Sequence, residues 1–148
     1  MSLHARPVRV VELAAGHGVS YGPTWRAPRA SRIATIPLGY GDGWSRSLSN
    51  RAEALVRGGR VPLVGNVAMD AVMADVTDVP GPPVSVEDEF VLVGRQGDLE
   101  ITAAELARSR NTNSWEIVTA MSGRLTRVYH HASVGLAGFR SLVSSEDR

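Results

Sequence analysis

The chain contains no cysteine and no lysine. Without cysteine there is no disulfide, no thiol nucleophile and no thiolate metal site. That composition suits a reducing cytosol. Without lysine, all 16 cationic side chains other than histidine are arginine, and no side-chain amine can form a Schiff base with a carbonyl. The net charge is only +1, so there is no electrostatic footprint for a nucleic-acid partner. No apolar run approaches the length of a membrane span. The opening Met1-Ser-Leu-His-Ala-Arg-Pro7 lacks the apolar centre of a signal peptide. A cytoplasmic protein with no membrane partner is expected.

What is present is punctuation. There are 15 glycines and 8 prolines in 148 residues, and they divide short β-branched runs. The length suits one domain with a real core. Residues 1–6 read as a tag or linker, 7–138 as the domain and 139–148 as a polar tail. Pro7–Ala15 reads as a first strand and Ala30–Leu38 as another, ending near Pro37. Ala54–Arg57 and Arg60–Val64 form a hairpin joined by Gly58-Gly59. Gly65–Thr77 is the longest strand candidate, with Asp70 set among apolar neighbours on one face. A buried carboxylate there needs partners, structural or functional. The proline-bearing stretch from Asp78 to Val86 reads as a loop. Glu87-Asp88-Glu89 reads as a solvated turn before a strand over Phe90–Gly94. Gly97-Asp98 reads as a hairpin turn.

Helical signals come late. Thr102-Ala-Ala-Glu105 is a capping box opening a short helix over Ala103–Arg108. Asn113 caps a second helix over Trp115–Met121. Arg127–His131 returns to strand, which sends His130 and His131 to opposite faces and rules out a shared metal. The fold class is therefore mainly β, a Greek-key-like barrel or sandwich with one or two short helices.

Candidate chemistry centres on Tyr21. It ends a strand at Val19-Ser20, between Gly18 and Gly22-Pro23, so the chain must turn directly after the phenol. Its hydroxyl is either packed at that turn or free to carry a proton. Gly39-Tyr-Gly-Asp-Gly43 lets backbone approach closely. It is not a dinucleotide fingerprint, because the spacing is wrong and no helical pattern follows.

Several stretches lie in one collinear order. They are Val19-Ser-Tyr-Gly-Pro-Thr-Trp-Arg-Ala27, Ile36-Pro-Leu-Gly-Tyr-Gly-Asp-Gly-Trp-Ser-Arg46, Leu48-Ser-Asn50, Val61-Pro-Leu-Val-Gly-Asn-Val-Ala-Met-Asp70, Asp88-Glu-Phe-Val-Leu-Val-Gly94, Asn113-Ser-Trp-Glu-Ile117 and Arg124-Leu-Thr-Arg-Val-Tyr129. Together they resemble the C-terminal domain of the alanine racemase family. The resemblance implies an isomerase that uses pyridoxal 5'-phosphate to interconvert L- and D-alanine for bacterial cell-wall synthesis. It implies an N-terminal barrel domain carrying the Schiff-base lysine, and a head-to-tail homodimer whose sites join one subunit's barrel to the other's C-terminal domain. The absence of lysine here agrees with this chain being the second half.

By the same resemblance Tyr21 is the catalytic base. Tyr40 lines the entrance, and the Met69 backbone amide holds the substrate carboxylate with Asp70 beside it. Arg46 lies in a second layer of the entrance. A phenol ordinarily titrates near 10, so a cation must lie near it for work at neutral pH; the barrel would have to bring that charge, with Arg26 the candidate within this chain (about 10 for a free phenol). Trp115 stands where the family usually has a Tyr reaching the cofactor phosphate. Asn66 stands where an Arg is common, and Ala68 and Ala71 replace polar residues. Two other readings stay open. The parent enzyme acts on another small amino acid such as serine, or the chain is a non-catalytic β-barrel interaction module whose contact surface includes Trp25 and Trp44.

Overall fold

Strand pairing begins with a hairpin that explains its own turn. In the computed structural model, which describes residues 1–129, Glu53–Val56 pairs with Gly59–Val64, and Val56 lies opposite Gly59. The two-residue turn is thus Arg57-Gly58, one position earlier than the expected Gly58-Gly59. Both turn residues have positive φ, 50° and 72°. That is the twist a tight hairpin needs, and it is costly for Arg57. The guanidinium offsets the cost by its contacts. Its Nε and Nη2 grip the two Asp88 oxygens at 2.6 and 2.7 Å, and it also donates to the carbonyls of Pro82 and Pro83. Asp88 is therefore not part of a freely solvated acidic turn. It is a half-buried anchor that also accepts the Ser85 amide and fastens the proline-rich loop.

The Arg57 contact holds the Asp88 carboxyl below its ordinary range, with the Ser85 amide adding to the effect. A carboxyl depressed on folding stabilises the native state above its unfolded pKa, about 3.9. That contribution disappears as the pH falls through the lower folded value. Asp88→Asn should therefore lower the urea midpoint at neutral pH, and the gap to the native domain should close on acidification.

In chain order the strands are β1 (Leu3–Ala5), β2 (Arg9–Leu13), β3 (Gly18–Val19), β4 (Trp25–Arg26), β5 (Ser31–Ile36), β6 (Glu53–Val56), β7 (Gly59–Val64), β8 (Val72–Asp75), β9 (Phe90–Gln96) and β10 (Leu99–Ile101). The helices are α1 (Ala103–Arg110) and α2 (Ser114–Thr119). The main sheet is antiparallel in the order β1-β9-β6-β7-β8-β5-β2, with β10 added to β9. β3 and β4 form a separate ribbon.

The two ends of that path are neighbours in sequence. Ala5 and Arg9 are joined by only Arg6–Val8, which can reach about 14 Å. Seven flat strands would put their outer axes roughly 29 Å apart. The sheet must therefore curl until its edges nearly meet, which makes it barrel-like, as the mainly β reading expected.

Ile36, Leu38, Trp44, Leu55, Phe90 and Leu92 fill the interior. Leu106 and Ala107 of α1 and Ile117 of α2 join the same core. β6 and β9 each carry three or more consecutive buried residues, so both of their faces are covered. Thr102 and Asn113 cap the helices as expected, through Glu105 and Glu116 amides. The Glu105 carboxylate turns instead to Arg60, clamping α1 to the β6–β7 hairpin.

Three further expectations change. Leu3–Ala5, placed in a tag or linker, is strand β1 and pairs with β9. Residues 65–77 are not one strand, since pairing begins only at Val72. Gly65 at φ 79° turns the chain out of β7, and the next five residues bond to loops rather than to a ladder. Arg127–Tyr129 is not strand. His130, His131 and the polar tail lie outside the described residues. Among the described residues no helix is long and apolar enough to cross a membrane.

Candidate functional site

Tyr21 stands at the tip of the β3–β4 ribbon. Ser20 and Gly22 on either side have φ of 65° and 52°, so the chain bends sharply before and after it. Those bends throw the phenol outward, and Tyr21 is 80% exposed. Its hydroxyl accepts and donates no hydrogen bond among the described residues, while its backbone carbonyl is held firmly. Asn66 Nδ2 donates to the carbonyls of Tyr21 (2.9 Å) and Gly22 (3.1 Å). Ser20 Oγ donates to the Asn66 carbonyl at 2.7 Å. Asn66 is thus a tether for the Tyr21 bend. Arg26 donates to the Gly16 carbonyl at 3.0 Å, which is the one hydrogen bond its side chain makes among the described residues.

The loop from Gly65 to Asp70 runs from this tether across the face of the domain. Asn50 Oδ1 accepts the Gly65 amide (2.7 Å), and Asn50 Nδ2 donates to Thr24 (2.9 Å). Ser49 Oγ accepts the Val67 amide (2.9 Å), and Arg46 reaches the Val67 carbonyl at 3.5 Å. At its far end the loop lies on the 3₁₀ turn Tyr40–Asp42. Tyr40 N–H donates to the Ala68 carbonyl (3.0 Å) and Gly41 N–H to the Met69 carbonyl (2.9 Å). The chains approach so closely that a Cβ on Gly39 would overlap both carbonyl oxygens. One hydrogen-bonded strip therefore joins Tyr21, Asn66, Arg46, Met69 and Tyr40. Tyr40 and Met69 are themselves solvent-facing.

Asp70 departs from expectation. Its side chain is 61% exposed, not set in an apolar strand face, and it pairs with Arg124 at 2.6 Å. The small residues flanking it alternate like a strand, but the loop's bonds to Tyr40, Gly41 and Ser49 pull it off the sheet. Trp115 is exposed on the first turn of α2, with no hydrogen bond tying its indole to the strip. Trp44, considered as a contact surface, is fully buried in the core.

Sequence reasoning gave no role to Ser49, Asn50, Asp42 or Arg124, all of which hold the strip. The bonds by which they reach the Gly65–Asp70 loop, and by which Arg124 reaches Asp42, span many positions, so no local spacing announces them. A cavity of about 440 Å³ lies elsewhere, bordered by Trp25, Arg51, Glu53, Leu63, Glu105 and Ser109, and none of the site residues named from sequence lines it.

The chain is similar to known proteins along most of its described length. It is 54% identical over 117 residues to an alanine racemase of Symbiobacterium thermophilum, covering 79% of this chain and 30% of that one. It is 46% identical over 124 residues to an alanine racemase of Methylacidiphilum infernorum, covering 84% and 32%. Among solved structures, it superposes on alanine racemase from Bacillus anthracis with bound L-Ala-P at TM-score 0.75 and 40% identity, covering 82% and 30% of the two chains. It superposes on alanine racemase from Bartonella henselae with covalently bound pyridoxal phosphate at TM-score 0.80 and 31% identity, covering 87% and 34%. The chain thus spans about a third of the length of these relatives. The family model described as alanine racemase, C-terminal domain, matches residues 1–129, and the chain belongs to that family.

Proposed function

We propose that this domain is the C-terminal part of a pyridoxal-phosphate-dependent alanine racemase, and that it supplies Tyr21 to a site completed by a barrel domain. The supporting observation is the Tyr21–Met69–Tyr40 strip: an outward phenol and a backbone amide with no partner among the described residues, on one braced surface. The reaction takes a proton from one face of the α-carbon and returns one to the other. Two bases must therefore flank that carbon, and the family resemblance makes the second the Schiff-base lysine, which this chain does not contain.

The donor set fits half of a cofactor site. The covalent link must come from another domain, and Trp115 would offer its indole N–H to the phosphate. When bound, pyridoxal phosphate supplies a ring that takes up the electron pair left by the departing proton. Tyr21 holds or accepts the proton at its hydroxyl oxygen. The Met69 N–H, which donates no hydrogen bond among the described residues, receives the substrate carboxylate. Tyr40 and Arg46 narrow the approach, and the Asn66 amide holds the Tyr21 bend in place of a cation in the entrance.

In this reading the partner is the barrel of a second subunit in a head-to-tail homodimer, in a bacterial cytoplasm, and the product feeds cell-wall synthesis. Exposed Tyr21, Tyr40 and Met69 would then be covered in the assembly. The domain alone with added pyridoxal phosphate should not racemise alanine. Joining it to a racemase barrel should restore turnover, measured by loss of optical rotation from L-alanine. Activity of the lone domain, or failure of every barrel fusion that folds and binds cofactor, would overturn the proposal.

A further inference from the structure

We infer that Arg124 is a positioning residue that aims the Met69 N–H at the substrate carboxylate by bridging Asp42 and Asp70; this rests on the role of Met69 proposed above. A trans peptide points its C=O and N–H in opposite directions. The Ala68 carbonyl and the Met69 N–H belong to one peptide unit. Because Tyr40 N–H holds that carbonyl at 3.0 Å, the Met69 N–H faces away from the Tyr40 turn. It finds no acceptor among the described residues. Gly41 holds the following carbonyl, of Met69, at 2.9 Å. The direction of the free N–H therefore depends on the loop staying against the turn.

Two backbone bonds hold the loop tip against the turn, and Arg124 adds a side-chain bridge beside them. Its Nη2 donates to Asp70 Oδ1 at 2.6 Å, on the residue directly after Met69. Its Nε lies 3.3 Å from Oδ1 of Asp42, whose side chain is buried. The other Asp42 oxygen accepts the Gly39 amide at 2.9 Å. A Cβ on Gly41 would come within 2.5 Å of Arg124 Nη1, so the missing side chain lets the guanidinium lie against the turn. The segment carrying Arg124 is itself fixed, since Ser122 N–H donates to the Asp42 carbonyl at 3.0 Å and Arg127 donates to the Met121 carbonyl. Arg124 thus ties together the Tyr40 turn, the Met69 loop and the chain after α2. Its two carboxylate neighbours, Asp70 first, hold its proton more firmly than usual, so Arg124 stays charged in the working range.

An exposed ion pair contributes little to stability, so a merely structural Arg124 would leave catalysis nearly unchanged. A positioning Arg124 acts on carboxylate recognition. In the full-length enzyme containing this domain, Arg124→Gln should raise the KM for alanine about tenfold, with kcat changed by less than about twofold and the pH profile unshifted. Asp70→Asn should act in the same direction, and the double variant should be no worse than Arg124→Gln, because both remove one contact. Arg124→Lys should recover only part, since an ammonium cannot fork between two carboxylates. Inhibition by ethylamine, which has the amine but no carboxylate, should be unchanged. An unaltered KM for alanine in Arg124→Gln, or weakening of alanine and ethylamine alike, would overturn the inference. Tyr21→Phe separates the two readings. If it leaves α-proton exchange intact, the functional proposal fails. If it blocks exchange while Arg124→Gln keeps its KM, only the role of Arg124 fails.

Discussion

Replacing Tyr21 by phenylalanine in the assembled enzyme is expected to slow proton exchange at one face of alanine by about 10²–10⁴-fold, the usual contribution of a positioned acid–base group. The other face should keep its rate. The physical case is local. Tyr21 is 80% exposed and its hydroxyl has no partner among the described residues, so removing one oxygen breaks no bond within the domain. The bends at Ser20 and Gly22 and the Asn66 tether act on the backbone, so the phenyl ring should occupy the same place. Stability should accordingly stay within about 0.5 kcal/mol of the native value, as for most surface substitutions. Steady-state rates alone would mislead, because the equilibrium constant between enantiomers is unity and ties the two kcat/KM values together. The informative measurement is deuterium entry from solvent into each enantiomer separately. Deuterium reaching both α-positions at the native rate would remove Tyr21 from the chemistry.

Gly39→Ala should be damaging for the addition of a single methyl. Gly39 has φ −146° and ψ −166°, an extended conformation open to any residue, so backbone preference plays no part. The harm is steric. The added Cβ would press into the Ala68 and Met69 carbonyl oxygens, and these are backbone atoms that cannot rotate aside. Relief requires the 66–70 loop to lift off the Tyr40 turn, losing the bonds from Tyr40 and Gly41 amides. Overpacking of this kind costs about 3 kcal/mol. The lifted loop would also misdirect the Met69 N–H. A lowered urea midpoint should therefore accompany a raised KM for alanine. Gly123→Ala is the matched control: its Cβ would meet nothing within 4 Å, and both quantities should hold. A Gly39→Ala variant as stable as the control would mean the two segments are not in the contact described.

Some elements were legible because their causes are local. Thr102 and Asn113 announce helix starts, since a side-chain acceptor three residues before an amide is a short-range event. The β6–β7 and β9–β10 hairpins were legible from glycine between β-branched runs, though the first turn fell one residue early. Its register depends on Arg57 accepting a positive φ, and that depends on Asp88, 31 positions away. The 65–77 stretch shows the limit from the other side. Its alternation is a genuine strand pattern, and it was overridden by hydrogen bonds to the turn at Tyr40 and to Ser49.

By itself the sequence determined the mainly β class, the family, the absence of a lysine that could form a Schiff base, and the residue that presents a phenol at a turn. Composition, motif order and short-range turn chemistry are enough for those. Only the tertiary structure decided that Tyr21 faces outward, that Trp44 is core, that Asp70 is an exposed partner of Arg124, and that the Met69 N–H has no acceptor among the described residues. Each of these depends on contacts between segments far apart in the chain. Such contacts are set by how the sheet curls and which loops it brings together, and no local pattern encodes that.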